Sequence, residues 1–397
     1  MDRSVTKSVA VECQGLRTGT VLIIIPGGLE HGGGIGRQMG YFLGAYQTSG
    51  QRLHYRVVDS RGPWYLGSSP LHVAGAVIYL SGAILKLFQA RRSSPCLLHV
   101  NITGRGSTIR KLLLLIVARA LGLRYVLHVH DYDYAKYYNS CSTFLKSRIA
   151  TMFRRAETVV MLGRRDLEVV SQLLQLPKDR MIVLHNAVPD PLPNLDRKRN
   201  PGQPCHLLFL GYLSARKGVA DLLQALASPR LRHLNWRATL AGDGPIDEFR
   251  NLAEGLGISK RVRFPGWVDQ VSVSKLCSDA DALVLPSYAE GLAMSVLEGL
   301  AHGLAVITTP VGAHSEVIEP GVSGILVRPG DVTGLADALG RVIEDENVRQ
   351  GLARAGRERF LEGFDVRRYA SRLEHIHASL LTPQCDQARL IERGGIS

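Results

Sequence analysis

The feature that most restricts how this chain can fold is an alternation. Short apolar runs are separated by segments long enough for a crossover helix. The runs are "TVLIIIP" (Thr20 to Pro26), "HYRVVDS" (His54 to Ser60), "CLLHVNI" (Cys96 to Ile102), "RYVLHVH" (Arg124 to His130) and "ETVVML" (Glu157 to Leu162). A near-continuous apolar strand needs cover on both faces, and a parallel neighbour can be reached only by a crossover. The pattern predicts a parallel, doubly wound α/β sheet. "AVPDPLPNLDRKRNPGQP" (Ala187 to Pro204) breaks the rhythm with five prolines and a charge cluster, as a linker does. The alternation then restarts: "CHLLFLG", "NWRATLAG", "RVRFPG", "DALVLPS" and "LAVITTP" read as strands, "VADLLQALA" and "IDEFRNLAEGLG" as helices. Two domains of comparable size are expected, 1–190 and 204–363, joined by a linker at 191–203. A polar tail, expected to fray, covers 383–397.

Composition removes some function classes. At 397 residues, 45% hydrophobic and 21% charged, the chain is globular and long enough for two cores. Its net charge of +13 favours acidic partners: nucleic acid, anionic lipid or phosphorylated substrates. No nucleic-acid-binding motif accompanies that charge. The six cysteines are scattered without a Cys-x-x-Cys pair, which argues against a zinc site or a disulfide framework and fits a reducing cytoplasm. "MDRSVTKSVAVECQGLRTG" lacks the apolar core of a signal peptide. "LHVAGAVIYLSGAILKLFQA" (Leu71 to Ala90) has nearly the length of a membrane span, but His72, Ser81, Lys86 and Gln89 interrupt it. "LLLLIVARALGL" (Leu112 to Leu123) is too short. Both read as buried or interfacial helices.

Ligands of open parallel sheets bind at the carboxyl ends of the strands, so the turns there carry the chemistry. "GGLEHGGGIGR" (Gly27 to Arg37) follows the first strand, and its glycines let backbone N–H groups approach an anion. As a dinucleotide fingerprint it fails, because Arg37 stands where the third glycine belongs. In the second half "FLGYLSARKGVADLLQAL" (Phe209 to Leu226) sets Arg216 and Lys217 just ahead of a helix, where a phosphate would also be favoured. The bland alternative is two solvated charges. "PSYAEGLAMSVLEGLAHGLAVITTP" (Pro286 to Pro310) places Glu290 in a turn and Glu298 inside a helix starting near Leu292. The amides of Gly291, Leu292, Ala293, Met294 and Ser295 would form an anion site at that helix N-terminus. Glu298 is flanked by Val296, Leu297, Leu300 and Ala301, a poor setting for a merely solvated carboxylate. Carboxylates suit vicinal hydroxyls, since they accept two hydrogen bonds without offering donors.

These residues resemble the family 4 retaining glycosyltransferases of GT-B fold. The matching pattern is "LGYLSARKG…LAGDGP…RFPGWV…ADALVLPSYAEGLAMSVLEGLAHGLAVITTPVGAHSEVIEPGVSGILVRPGD", from about Leu208 to Asp331. "GGGIGR" and "HVHDYDYAKYY" look like that family's glycine loop and active-site histidine loop. The resemblance implies two Rossmann-like doubly wound domains facing a cleft, and a helix over 364–382 that returns toward the first domain. It implies a catalytic Glu290 against the donor sugar and a catalytic His130 on the sugar's face. It also implies that Glu298 holds the ribose, that Lys217 binds the diphosphate, and that Gly34 and the Gly291–Ser295 turn touch the donor. His128 is expected on the other side of the strand from His130. Tyr212 stands where the family usually has arginine, and Arg216 is expected to supply that charge. Asn186 matches a family position with a role in hinge geometry. The partners implied are a nucleoside diphosphate sugar donor and a glycan or lipid-linked sugar acceptor, with no cofactor, metal or nucleic acid. Basic residues along "LFQARR" (Leu87 to Arg92) and "GRGSTIRKLLLLIVARALGLR" (Gly104 to Arg124) suit an anionic membrane surface on the cytoplasmic side. A nucleotide-sugar epimerase of similar two-domain design, or a non-catalytic basic binding module, remains open on the sequence alone.

Overall fold

The computed structural model describes residues 19–48, 52–62, 70–92, 95–192 and 202–381. The tail expected at 383–397 and most of the expected linker, 193–201, lie outside the described residues. The first half begins β1 (Thr20–Ile25), α1 (Gly33–Gln47), β2 (His54–Asp59), α2 (Pro70–Arg92), β3 (Cys96–Ile102), α3 (Gly106–Ala120) and β4 (Arg124–Val129). It continues through α4 (Tyr134–Ser140), α5 (Thr143–Arg154), β5 (Thr158–Met161), α6 (Arg164–Leu174) and β6 (Met181–Val183). The second half runs β7 (Cys205–Leu210), α7 (Val219–Leu226), α8 (Pro229–Arg232), β8 (Trp236–Ala241), α9 (Ile246–Gly255) and β9 (Val262–Gly266). Then come α10 (Gln270–Asp279), β10 (Ala282–Leu285), α11 (Met294–Ala301), β11 (Ala305–Thr308), α12 (His314–Val317) and β12 (Ile325–Leu326). Three helices close the chain: α13 (Val332–Glu344), α14 (Glu346–Gly363) and α15 (Val366–Leu381).

Each half builds one six-stranded sheet, ordered β2-β1-β3-β4-β5-β6 and β12-β11-β10-β7-β8-β9. Every strand pair is parallel. The ten strands read from the sequence are all present. β6 and β12 were not anticipated: three and two residues long at the sheet ends, they are too short to show a period.

The second domain has a core of its own, from Val188 and Cys205 through Phe360 and Phe364. The first domain's sheet separates two cores. One lies under α2, α3 and α5, and the other under α1 and α15, where Val366, Tyr369, Ala370 and Leu373 meet Val21, Ile23, Met39 and Phe42. The last helix thus crosses to the first domain. The chain crosses between domains at two adjacent places, paired backbone to backbone: Val188 N–H donates to Phe364 O (3.1 Å) and Val366 N–H to Val188 O (3.0 Å). The buried Arg357 braces this junction, donating to Ala301 O (2.9 Å) and pairing with Asp190 (2.7 Å).

Among the described residues no helix is long and apolar enough to cross a membrane. α2 buries Ala83, Leu87 and Ala90 but turns Ile78 (68% exposed), Leu85 and Phe88 (50%) to solvent, and α3 exposes Ile109, Leu113 and Ile116. One expectation for α3 is corrected. Lys111 does not face outward with the basic residues around it; its side chain is fully buried and donates to Ser60 Oγ (2.5 Å).

Candidate active site

The second domain's share of the site is assembled by backbone constraints. Gly218 separates a short 3-10 turn (Ala215–Lys217) from α7 and holds a left-handed φ of 69°. A Cβ there would stand 2.1 Å from Pro286 O, so only glycine lets this turn close on the strand β10 exit. Gly312 (φ 54°) does the same for the glutamate turn: a Cβ would lie 2.1 Å from both Glu290 O and Gly291 O. The result brings Lys217 Nζ within 2.5 Å and Arg216 Nη1 within 3.1 Å of Glu290 Oε1. Arg216 also donates to Ala289 O (2.5 Å) and its guanidinium lies over Tyr132 of the first domain, 5.2 Å from the ring centre. Burial alone would raise the Glu290 carboxyl, but the Lys217 ammonium and then Arg216 overcome it and hold the group below its ordinary range. Tyr212, next to Gly211, is largely exposed and takes no part in this contact.

α11 starts at Met294, two residues later than its expected start, with Ala293 at the N-cap. The Ala293 amide is already engaged, donating to Nε2 of the buried His314 (3.3 Å). Leu292 O accepts from Asn186 Nδ2 (2.9 Å), so this turn is pinned from the hinge as well. Met294 and Ser295 begin the helix. Two turns on, Glu298 is buried, and its Oε1 lies 3.4 Å from Arg37 Nη1 and 3.4 Å from Tyr41 Oη, both on α1 of the first domain. Its carboxyl is raised, because burial outweighs Arg37, Gln270 and Tyr41. The two glutamates therefore occupy different environments: Glu290 is held by its own domain's cations, Glu298 by Arg37 and Tyr41 of the opposing domain together with Gln270 of its own.

The first domain's contribution centres on His130, at the end of β4. Asn101 Nδ2 donates to Ile24 O (3.2 Å), which turns the Asn101 carbonyl toward His130 Nε2 (2.8 Å). A carboxamide oxygen only accepts, so Nε2 carries the proton and Nδ1 is left as an acceptor. Burial, then the neighbouring His99, lowers the imidazole to about 3, so it is neutral near pH 7. The His130 backbone carbonyl lies near the glutamate turn: a Cβ on Gly291 would sit 2.9 Å from Leu162 and 3.9 Å from His130 O. His128 corrects the sequence reading. Its ring is 4.0 Å from that of His130, on the same side, because residues two apart in a strand share a face. Gly34 lies exposed in the first turn of α1 with open space where a Cβ would go. The crowding that demands glycine falls on Gly32 and Gly36, where a Cβ would meet Gly28 O at 2.3 and 2.8 Å.

Between the domains lies a cavity of about 280 Å³, walled by Asp131 to Ala135 on one side and Tyr288 to Glu290 on the other. It contains Arg165 and Asp166, which sequence reasoning missed. Burial raises the Asp166 carboxyl to about 6. Asn101, His314 and Asp166 carry no local motif; only the fold delivers them.

Residues 194–359 match the family model described as Glycosyl transferases group 1. The match covers most of the second domain and less than half of the chain. Among curated relatives, this chain is 33% identical over 175 residues to a glycogen synthase of Mycobacterium tuberculosis, covering 44% of this chain and 42% of that one. It is 25% identical over 282 residues to the alpha-D-kanosaminyltransferase of Streptomyces kanamyceticus, covering 66% and 72%. The chain thus spans less than half the length of the glycogen synthase it matches. Among solved structures it resembles a sucrose-phosphate synthase of Thermosynechococcus elongatus (TM-score 0.71, 20% identity, 92% of this chain and 99% of that one). It also resembles Anabaena Alr3699/HepE in complex with UDP and glucose (TM-score 0.70, 18% identity, 91% and 99%). The architecture is GT-B.

Proposed function

We propose that this chain transfers a hexosyl unit from a nucleoside diphosphate sugar to an acceptor, with retention of anomeric configuration and without a required metal. The observation that carries this reading is the convergence of Lys217 and Arg216 on Glu290, which lines the cavity between the domains and precedes a glycine set beside the His130 carbonyl. Two cations beside one carboxylate can hold a diphosphate as charge develops on it, the interaction that most accelerates such a departure. The anomeric C–O bond to the diphosphate breaks while an acceptor oxygen bonds the same carbon from the same face, and the acceptor's proton leaves with the diphosphate. His130 Nδ1 accepts a hydroxyl of the donor sugar, and Glu298, released from Arg37 and Tyr41, takes the ribose. Relatives support the donor class: the Anabaena protein was solved with UDP and glucose.

The acceptor is a lipid-linked sugar met at an anionic cytoplasmic membrane surface. The exposed apolar stripes of α2 and α3, next to Arg91, Arg92 and Arg119, support this half of the reading. A thermal-shift screen against uridine, guanosine and adenosine diphosphate sugars tests the donor; one of them at 100 times its Kd adds about 2.7 kcal/mol. Stabilisation by none of the three overturns the proposal, and sugar conversion without an acceptor assigns the chain to the epimerases instead.

A further inference from the structure

A second concentration of charge lies in the first domain, away from the glutamate turn. Asp59 ends β2, and its Oδ1 accepts from the amides of Gly27 (2.8 Å), Arg61 (2.8 Å) and Gly62 (3.0 Å). Three cations gather around this one carboxylate. Arg61 is tied to His31 O (2.9 Å) and Gly62 O (3.3 Å). Arg110, on α3, has a buried Nε with no hydrogen-bond partner. Lys111 is fully buried, and among the described residues its ammonium donates only to the Ser60 hydroxyl. Burial, then Arg110, lowers the Lys111 ammonium to about 7, and Asp59 offsets this only in part. Arg61 is lowered by burial and by Arg110 in the same way.

Such an arrangement is unfavourable as it stands. One carboxylate shared among three partly or wholly buried cations leaves them undercompensated, and repulsion between them adds to the cost. The fold nevertheless concentrates these groups at the carboxyl ends of β1 and β2, where open α/β sheets take ligands. Gly27 and Gly28, both at positive φ, let the Arg61 guanidinium and Asp59 come close: a Cβ on Gly27 would stand 2.6 Å from Arg61 Nη2. We propose that Arg61, Arg110 and Lys111 form an anion subsite of the first domain that takes a phosphate group of the acceptor. This rests on the glycosyl-transfer reading. β2 is three strands from β4, roughly 15 Å at about 4.8 Å per strand, so the phosphate sits further from His130 than a single sugar ring spans. It is therefore a different phosphate from those of the donor at Lys217. The phosphate belongs either to a lipid carrier, whose chain would lie along the exposed stripe that Ile109 begins, or to a soluble phosphorylated glycan.

The test uses the full chain carrying Lys217→Ala, which removes the donor-side phosphate contact. Melting is followed in inorganic phosphate against chloride of equal ionic strength. The melting temperature is expected to rise saturably with phosphate, and Arg110→Gln to weaken the apparent affinity at least about ten-fold. Lys111→Met, similar in length and uncharged, is expected to melt higher than its parent in chloride and to lose the phosphate response. A Lys111→Met protein that melts lower and still responds to phosphate like its parent overturns the proposal; there the lysine is structural. Flotation with phosphatidylcholine vesicles, with and without a polyprenyl phosphate, separates the sources. Binding that needs the polyprenyl phosphate and is lost in Arg110→Gln assigns the lipid, and a phosphate response without vesicle preference assigns a soluble acceptor. Absence of both the phosphate response and the vesicle response overturns the subsite. With Lys217 restored, donor-sugar binding is measured separately: its absence beside an intact phosphate response removes only the glycosyl-transfer reading.

Discussion

Glu298 already has Arg37, Tyr41 and Gln270 as partners, so a ribose arriving there must replace those from the first domain, Arg37 and Tyr41. The Arg37 contact is 3.4 Å long and its side chain is partly exposed, which limits its worth to about 1 kcal/mol. Arg37→Ala is therefore expected to tighten nucleoside diphosphate binding by about two- to five-fold, measured by calorimetry; weaker binding would instead make Arg37 part of the donor site. Glu290 differs in sign. Glu290→Gln frees Lys217 and Arg216 from their carboxylate, so the diphosphate should bind several-fold tighter, about 1 kcal/mol, while turnover falls. Glu298→Gln should weaken donor binding, by about 1–3 kcal/mol. Equal losses of affinity in both variants would refute these roles. Glu290 and the Arg-Lys pair stand out in the sequence as charges in short turns between recognisable strands, and Glu298 as a carboxylate among apolar neighbours on a helix. The Arg37–Glu298 contact does not, since its partners are 261 residues apart and no local period links them. Lys111 was misread for a related reason: an amphipathic pattern does not say which face meets a sheet.

At the scale of elements, a row of histidines ties the last helix to the first sheet. Tyr55 Oη lies 3.0 Å from His377 Nδ1, His377 Nε2 lies 2.9 Å from His99 Nδ1, and His99 Nε2 lies 3.3 Å from His128 Nδ1. All three rings are fully buried. Burial lowers His99 to about 4 and leaves His128 and His377 well below their ordinary range. Their folded pKa values lie below the unfolded value near 6.5, so the unfolded chain binds protons first. Stability is full above about pH 6.5 and falls as the pH drops toward 4, by on the order of 3 kcal/mol for His99 alone. Chemical denaturation at a series of pH values should show the midpoint falling across that window, with a shallower fall in His99→Gln. A midpoint constant from pH 7 to 4 would mean that these rings protonate inside the fold. α15 itself was expected from the family resemblance; the histidine row was not, because His377 meets His99 across 278 residues. The stripes on α2 and α3 yield a separate expectation. Flotation on anionic vesicles should be strong at low salt and weakened by high salt, and Ile78→Asp with Phe88→Asp should abolish it. No binding at low salt would leave those stripes without a membrane.

Across the whole molecule, the second domain's core draws its fully buried residues from its own segment, Val188 to Phe364. A chain of residues 187–364 is expected to unfold cooperatively by itself, as a unit with its own core should. It should bind a nucleoside diphosphate through Lys217 and Arg216 but transfer nothing, lacking His130 and the facing wall of the cavity. Circular dichroism and calorimetry on that fragment check both halves, and a fragment without a cooperative transition would show that the first domain is needed to fold it.

The adjacent crossings at Val188 and Asp365 bear on how such a chain can be rebuilt. The second domain leaves and re-enters the first at one spot, in the manner of an insert spliced into a host. Two cuts placed side by side release it whole, and two joins suffice to seat another in its place. A chimera made at these junctions keeps the host's last helix in register with its own sheet. Recombination there exchanges the second domain while leaving the first domain's sheet and its last helix together.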